Sequence, residues 1–320
     1  MHSAPLRLTL SLALGMLLAA CQPGAQGPIV VPPPEVQPGA PVFPGNEGVT
    51  APSEASIQSR AYYARIERNL RSQGLLRTDP GGRDTPFGPD DLAENFLRIA
   101  LFDEYVAGPG RFVARTTESR LRRWEQPLRI GIDFGPSVPA AQRATDRGNI
   151  AAFGQRLSTL TGLAIRVDPV RPNFHVLILN EDEREAIGPY VSRLVPGIDR
   201  SAIEAITEMH PTTYCIVFAF SPGGNPAYTR ALAVIRGEHP DLLRLSCIHE
   251  EMAQGLGLAN DSPAARPSIF NDDEEFALLT RQDELMLRIL YDRRLRPGMS
   301  LAEARPVVEA IAAELLGGES

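Results

Sequence analysis

The chain has 320 residues and a formal net charge of −7, and all of its basic side chains other than histidine are arginine. Without lysine it has no Walker-type phosphate-binding lysine, no Schiff-base lysine and no catalytic Ser-Lys pair. The arginines are scattered and form no basic run, which argues against nucleic-acid binding.

The N-terminus predicts export to the cell envelope. Arg7 precedes an apolar run, Leu8 to Leu18, that is too short for a comfortable membrane-spanning helix. Leu-Ala-Ala then precedes Cys21, which resembles a bacterial lipobox. We therefore expect a lipoprotein signal peptide over 1–20 and acylation of Cys21, palmitate included, which would anchor the chain in a membrane. An ordinary secretory signal with an incidental cysteine is the alternative.

A proline-rich segment separates this signal from the rest of the chain. Residues 21–54 are dense in Pro, Gly and Val and cannot bury a core, so we expect a disordered tether. The residue after the lipidated cysteine is Gln22 and not aspartate, which favours anchoring in the outer membrane with the protein facing the periplasm. The remainder predicts a helical N-terminal region over 55–120 and one domain over 121–320.

Hydrophobic periodicity predicts an α/β (α+β) fold around a mixed sheet. Helices are expected at 56–73, after Pro89, at 151–160, at 183–194, after Pro240, at 283–292 and at 301–316. Strands are expected at 128–134, 163–167, 175–179, 214–220 and 231–235. The apolar run 214–220 is interpreted as a central strand because both of its faces need cover, and 231–235 as an edge strand.

Two cysteines remain besides Cys21. Cys215 lies in the apolar strand and Cys247 lies in the helix after Pro240. In an oxidising compartment such a pair suggests a disulfide, although two buried free thiols are the open alternative.

The segment after Cys247 has the frame of a zinc-peptidase helix, H-E-x-x-H-x-x-G-x-x-H, with altered ligands. Glu250 and Gln254 take the first two ligand places, Glu251 the general-base place, Gly257 the glycine and Asn260 the third ligand. Glu250 and Gln254 are four apart and share a helix face. The literal register from His249 fails, because position 253 is alanine.

This residue set suits zinc poorly. Zinc prefers imidazole and thiolate ligands, whereas Glu250, Gln254 and Asn260 offer only oxygens or neutral amides. A metal that recruits His249 or His175 is one hypothesis, and a buried hydrogen-bond network is another. The sequence assigns no cofactor and no metal. Asp261 follows Asn260 and is placed either in the same cleft or in a turn after the helix.

An acidic segment, Asn271 to Glu275, lies between the motif and the next helix. It lacks the glycine and the bidentate glutamate of a calcium loop. We interpret it as a loop leading into a helix N-terminus, where acidic residues are favoured by the helix dipole.

The C-terminal motifs resemble one known family. These motifs are His249 to Ser262, Ser268 to Asp273, Leu278 to Asp292 and Leu295 to Met299. The resemblance is to a bacterial family of unknown function, DUF2927, and covers about 120 to 300. A weaker resemblance to zincin metallopeptidases rests on the motif frame. The first resemblance implies an envelope protein without an assigned activity, and the second implies a zincin-like mixed sheet with an active-site-type helix.

Two functions are therefore expected from the sequence. The favoured one is a lipid-anchored protein whose degenerate zincin-like cleft, with His249, Glu250, Gln254, Asn260 and Asp261, binds a peptide or envelope partner. The alternative is a hydrolase in which Glu251 activates water, with an unorthodox metal. The poor ligand set favours the non-enzymatic hypothesis.

Overall fold

The computed structural model describes residues 51–108, 111–221 and 223–318, without the side chains of 104–115. The predicted signal peptide, Cys21 and nearly all of the tether lie outside these residues. The helices of the described residues are α1 Glu54–Ser72, α2 Pro89–Ala100, α3 Ala140–Thr161, α4 Glu181–Arg184, α5 Gly188–Leu194, α6 Arg200–Thr207, α7 Asp241–Gln254, α8 Arg281–Leu290 and α9 Leu301–Gly317. The strands are β1 Phe102–Gly108, β2 Arg111–Glu118, β3 Arg123–Trp124, β4 Leu128–Phe134, β5 Ile165–Val167, β6 Phe174–Leu179, β7 Cys215–Phe220, β8 Ala227–Tyr228 and β9 Arg230–Arg236.

A five-stranded mixed sheet forms the centre of the molecule. Its strand order is β5-β4-β6-β9-β7, with parallel pairing throughout except between β7 and β9. The α/β (α+β) class expected from the sequence is therefore confirmed.

The positions predicted for two strands are wrong. Strand β9 was expected at an edge and lies between β6 and β7, whereas β7 was expected in the centre and is the edge strand. The apolar sequence of β7 misled the prediction because helices cover both of its faces. Cys215, Val217 and Ala219 pack towards one core, and Ile216 and Phe218 towards the other.

The sheet separates two hydrophobic cores. The larger one contains Ile132 and Val176 of the sheet with residues of α2, α3, α7, α8 and α9. The smaller one joins Leu177 and Leu232 to α5 and α6. Alternate residues of β6, β7 and β9 thus enter opposite cores, as the strand period requires.

The helix predicted over 183–194 is broken into α4 and α5. Pro189 follows Gly188 at the start of α5. Proline lacks the N–H that an uninterrupted helix needs and disfavours helical geometry in the residue before it, so one helix ends and another begins here.

The N-terminal region is not helical throughout. After α1 and α2, the strands β1 and β2 form an antiparallel hairpin within the segment that was expected to be helical. Helix α1 packs on the domain through Tyr63, which is buried with Leu76, Leu243 and Ala277. Ser56 of α1 and the backbone of Ser53 also donate hydrogen bonds to Asp182.

Candidate functional site

Helix α7 carries the motif and ends at Gln254, where the chain turns sharply. Gly257 has a φ of +128°, a conformation that other residues rarely adopt. A Cβ at this position would lie 2.3 Å from the carbonyl oxygen of Arg122. The glycine of the motif frame is therefore required by the backbone path after α7.

His249 does not face the other motif residues. Its ring stacks on Phe153 with centroids 3.9 Å apart, and its Nδ1 accepts a hydrogen bond from the Leu279 N–H at 3.2 Å. Burial, followed by the charge of Arg156, lowers the pKa of His249 to about 3. The imidazole is a neutral core residue that joins α3, α7 and the segment before α8.

Asn260 also serves the fold. Its Nδ2 donates to the Arg98 carbonyl at 3.0 Å and its backbone N–H donates to the Ile99 carbonyl at 3.0 Å. These carbonyls belong to the last turn of α2, where helical partners are missing. Asn260 therefore caps the end of α2 through its side-chain and backbone amides.

Four predicted residues do lie together. Oxygen atoms of Glu250 and Glu251 and the sulfur of Cys215 are all within 4.8 Å of one another. Gln254 Nε2 donates to Asp261 Oδ1 at 3.2 Å. Burial raises the pKa of Glu250 well above its ordinary value, and the charges of Glu251 and Asp261 raise it further.

Two further acidic residues join this group from the segment 271–275. The charges of Glu274 and Asp272 also raise the pKa of Glu250. Partial burial, then Asp272 and Asp273, raises the pKa of Glu274 itself. We call Glu250, Glu251, Gln254, Asp261, Asp272 and Glu274 the acidic cluster.

The interpretation of 271–275 as the approach to a helix N-terminus is wrong. Helix α8 begins only at Arg281, with Thr280 as its N-cap. Asp272 and Glu274 have φ values of +62° and +58°, and the Glu274 carbonyl accepts a hydrogen bond from Leu76 at 2.8 Å. The density of acids in 271–275 was the only sequence signal, and it did not show that the segment turns back towards α7.

A disulfide connects the edge strand to the motif helix. Cys215 of β7 and Cys247 of α7 are bonded, with their Cα atoms 5.9 Å apart. The sulfur of Cys215 beside Glu250 and Glu251 is thus not a thiolate and is a poor metal ligand. The donors that remain are oxygens, which suit a hard cation or a cationic side chain better than zinc.

The fold and the site define an α+β domain in which an acidic cluster lies at the start of an edge strand. The family model described as "Protein of unknown function (DUF2927)" matches residues 89–310, and the chain belongs to this family. The match starts at α2 and is wider than the 120 to 300 expected from the motifs. No curated protein and no solved structure matches the chain.

Helix length and hydropathy bear on membrane insertion. Among the described residues, no helix is both long enough and apolar enough to cross a bilayer.

Proposed function

We propose that this chain is an envelope lipoprotein whose degenerate zincin-like domain binds an extended peptide segment of an envelope partner. The segment adds to the outer edge of β7 and places a basic side chain in the acidic cluster. The membrane anchor in this proposal is the lipid on Cys21, and it rests on the sequence of the N-terminal signal.

The layout of the sheet supports the zincin-like part of the proposal. The motif helix α7 follows β9 directly and is bonded through Cys247 to the antiparallel edge strand β7. Gly257 makes the turn that the motif frame requires after the helix. These features support a cleft of the zincin-like kind beside α7, in which His249 and Asn260 serve packing and capping.

The edge of β7 supports binding of an extended chain. Among the described residues, β7 pairs with β9 on one side and ends the sheet on the other. An edge strand can extend its sheet by bonding its backbone N–H and C=O groups to a further strand, and this supplies affinity with little demand on sequence. The sequence predicted 231–235 as the edge that binds an extended chain. This strand, β9, lies inside the sheet, so we assign the binding edge to β7 instead.

The acidic cluster supports a basic side chain in the bound segment. Within the described part of the chain, no arginine lies within ion-pair distance of Glu250, Asp272 or Glu274. Crowded carboxylates that are partly buried are costly to ionise, and a cation between them lowers this cost. The observation that carries the proposal is that this cluster adjoins Cys215, at the start of the open edge.

Peptide binding tests the proposal directly. A pool of ten-residue β-prone peptides with one central arginine would be compared, by fluorescence anisotropy, with the same peptides carrying glutamine. We expect saturable binding of the arginine peptides, weakened about tenfold by Glu274→Gln or Asp272→Asn, because a charge-assisted bond contributes about 1.5–3 kcal/mol. Glu309→Gln, which removes an exposed charge on α9, is the matched control.

Amide hydrogen exchange gives the second readout. Binding by strand addition would protect the outward-facing amides of β7 and leave those of β9 unchanged, because β9 is already paired on both sides. Equal binding of arginine and glutamine peptides, or protection that does not reach β7, would contradict the proposal.

A second candidate function rests on the carboxylate pair. Carboxylate oxygens of Glu250 and Glu251 lie within 4.8 Å of each other, and the raised pKa of Glu250 favours its protonated form beside a second carboxyl group. Such pairs perform general acid–base chemistry in hydrolases. Glu251 is only 3% exposed, however, so a substrate would reach Glu250 more readily.

Metal analysis and peptide hydrolysis separate the two functions. The protein purified without chelator would be assayed for bound metal and for turnover of the same peptide pool, beside Glu251→Gln and Glu250→Gln. Stoichiometric metal with turnover that Glu251→Gln abolishes would establish the hydrolase. Binding without turnover would leave the peptide-binding function.

A further inference from the structure

Three basic side chains share one face of the sheet at the amino ends of its parallel strands. His175 of β6 pairs with Gly131 of β4 and Leu232 of β9. Arg129 and Arg230 each lie two residues before these partners, so both project to the same face as His175. This face belongs to the smaller core and is opposite to α7.

The imidazole at the centre of this group is unsatisfied. His175 is 3% exposed, and neither ring nitrogen has a hydrogen-bond partner among the described residues. Buried polar atoms in native proteins are nearly always hydrogen-bonded. On the side of Gly131, Pro172 packs where a side chain would stand: a Cβ at Gly131 would lie 2.8 Å from Pro172 and 3.7 Å from His175 Nδ1.

The two guanidinium groups lack acidic partners. Among the described residues, each donates to a backbone carbonyl: Arg129 Nε to that of Arg171 at 2.5 Å, and Arg230 to that of Leu194 at 2.7 Å. Within the described part of the chain, neither arginine has a carboxylate at ion-pair distance. Burial, then the charge of Arg129, lowers the pKa of Arg230.

The nearby acids are engaged elsewhere. Asp133, on the same face of β4, accepts a hydrogen bond from the Tyr190 hydroxyl at 3.0 Å. Asp168, beside β5, pairs with Arg166 at 2.9 Å. Two half-buried like charges that face an unsatisfied imidazole, with no acid between them, therefore form an arrangement that only an anion completes.

We infer that Arg129, His175 and Arg230 form a binding site for a phosphate group. The two arginines reach the group from strands on either side of β6, and His175 donates an N–H from below. Donors on three sides match the tetrahedral oxygens of a phosphate better than the two coplanar oxygens of a carboxylate. Free phosphate and the headgroup phosphate of a lipid share this chemistry.

Titration of the purified full chain in phosphate-free buffer tests the inference. Calorimetry at constant ionic strength would compare inorganic phosphate, acetate and dihexanoyl-phosphatidylglycerol below its micelle concentration, so that the proposed lipid anchor does not contribute. We expect saturable binding of phosphate or of the lipid and weaker binding of acetate. Arg129→Gln and Arg230→Gln should each weaken it at least tenfold, and Arg200→Gln, a 91% exposed arginine on α6, should not.

The ring signals of His175 give a readout that a structural role would not move. In the wild-type protein they should shift during the titration, and His175→Asn identifies them by their loss. Binding of inorganic phosphate would identify free phosphate as the ligand, and binding of dihexanoyl-phosphatidylglycerol alone would identify a lipid headgroup. No saturable binding in either phosphate arm, equal binding of acetate, or binding that Arg129→Gln and Arg230→Gln leave unchanged would overturn the inference. The unfolding midpoint of each variant without ligand shows whether its fold is intact.

Discussion

At the scale of single residues, Gly257 links the motif to the rest of the fold. Its left-handed backbone and its contact with the Arg122 carbonyl leave no room for a side chain. In the sequence, Gly257 falls on the glycine position of the motif frame. The structure adds the physical reason, which is the close approach of two backbone segments.

Gly257→Ala should lower the free energy of unfolding by about 3 kcal/mol or more, because backbone strain adds to the clash. Urea unfolding measures the change. Gly148→Ala is the matched control, since it lies inside α3 with no atom within 4 Å of a Cβ. This control should raise stability by about 0.5–1 kcal/mol. Equal effects at the two positions would show that the turn at Gly257 tolerates a side chain.

Glu250→Gln should stabilise the protein, and more so as the pH rises. The folded pKa of Glu250 lies above the unfolded value of 4.5, so the stability from its protonated form is present below pH 4.5. As the pH rises through the raised pKa, Glu250 ionises and this stability is lost. Glutamine does not ionise, so the variant keeps its stability over the same pH range. The measurement is the difference in unfolding free energy between variant and wild type from pH 4.5 to pH 8.

The difference between two proteins cancels the titration of other groups, such as Asp283, whose pKa burial raises to about 6. Glu309→Gln, which removes an exposed carboxylate on α9, is the matched control. If the difference in unfolding free energy between Glu250→Gln and wild type did not change with pH, Glu250 would not be crowded by the other carboxylates.

Sequence reasoning placed only part of the acidic cluster. Helical spacing brought Glu250 and Gln254 to one face, and proximity in the chain added Asp261. It could not bring in Asp272 and Glu274, because their placement depends on a left-handed loop bonded to Leu76, far away in the chain. It also assigned His249 and Asn260 to the site, since a motif frame does not show which side chains turn towards Phe153 or α2.

At the scale of elements, the disulfide controls how β7 sits against α7. Cys215 and Cys247 are 32 residues apart, and the bond closes this loop in the unfolded chain. The same bond holds the start of β7 beside the acidic cluster, so its loss should lower stability and weaken the proposed peptide binding.

Cys247→Ser should lower the free energy of unfolding by about 3–4 kcal/mol, the entropy expected for a loop of this length. Urea unfolding with and without dithiothreitol measures it. Under reducing conditions most of the difference between variant and wild type should disappear, because both proteins then lack the bond. Mass spectrometry that finds two free thiols in the non-reduced wild type would contradict this prediction.

Most elements were predictable, but their order in the sheet was not. Strand β4 begins and ends at the predicted residues, and α2 begins at Pro89, one residue before the predicted start. These features follow from local alternation and capping chemistry. The exchange of edge and centre between β7 and β9 reflects long-range pairing, and an edge strand with helices on both faces has the same apolar sequence as a central one.

At the scale of the whole molecule, α1 is an addition to the family domain. The family match begins at residue 89, whereas α1 ends at Ser72. Contacts that attach α1 include Tyr63 in its small core, Arg60 on the Gly237 carbonyl and Glu67 on the Leu243 N–H. Such an attachment can open without unfolding the large core.

Tyr63→Ala should release α1 while 89–310 stays folded. Tyr63 is 1% exposed, and its truncation removes the largest side chain of that small core. Limited trypsin digestion with mass spectrometry should show faster cleavage at the arginines of α1 and no change within the domain. Tyr62→Ala, a neighbour that is only half-buried, should accelerate cleavage less. Digestion of the whole chain at the rate of α1 cleavage would show that the two parts unfold together.

The contact of Ser53 with Asp182 and the proposed phosphate site lie at opposite ends of β6. The backbone N–H of Ser53, the N-cap of α1, donates to Asp182 just beyond the carboxyl end of β6, whereas His175 lies near the amino end of that strand. A strand of six residues spans about 20 Å. The proposed lipid anchor at Cys21 precedes residue 53, so it would hold the domain from the side of Asp182. Arg129 and Arg230, at the amino ends of the parallel strands, would then lie on the side away from the membrane.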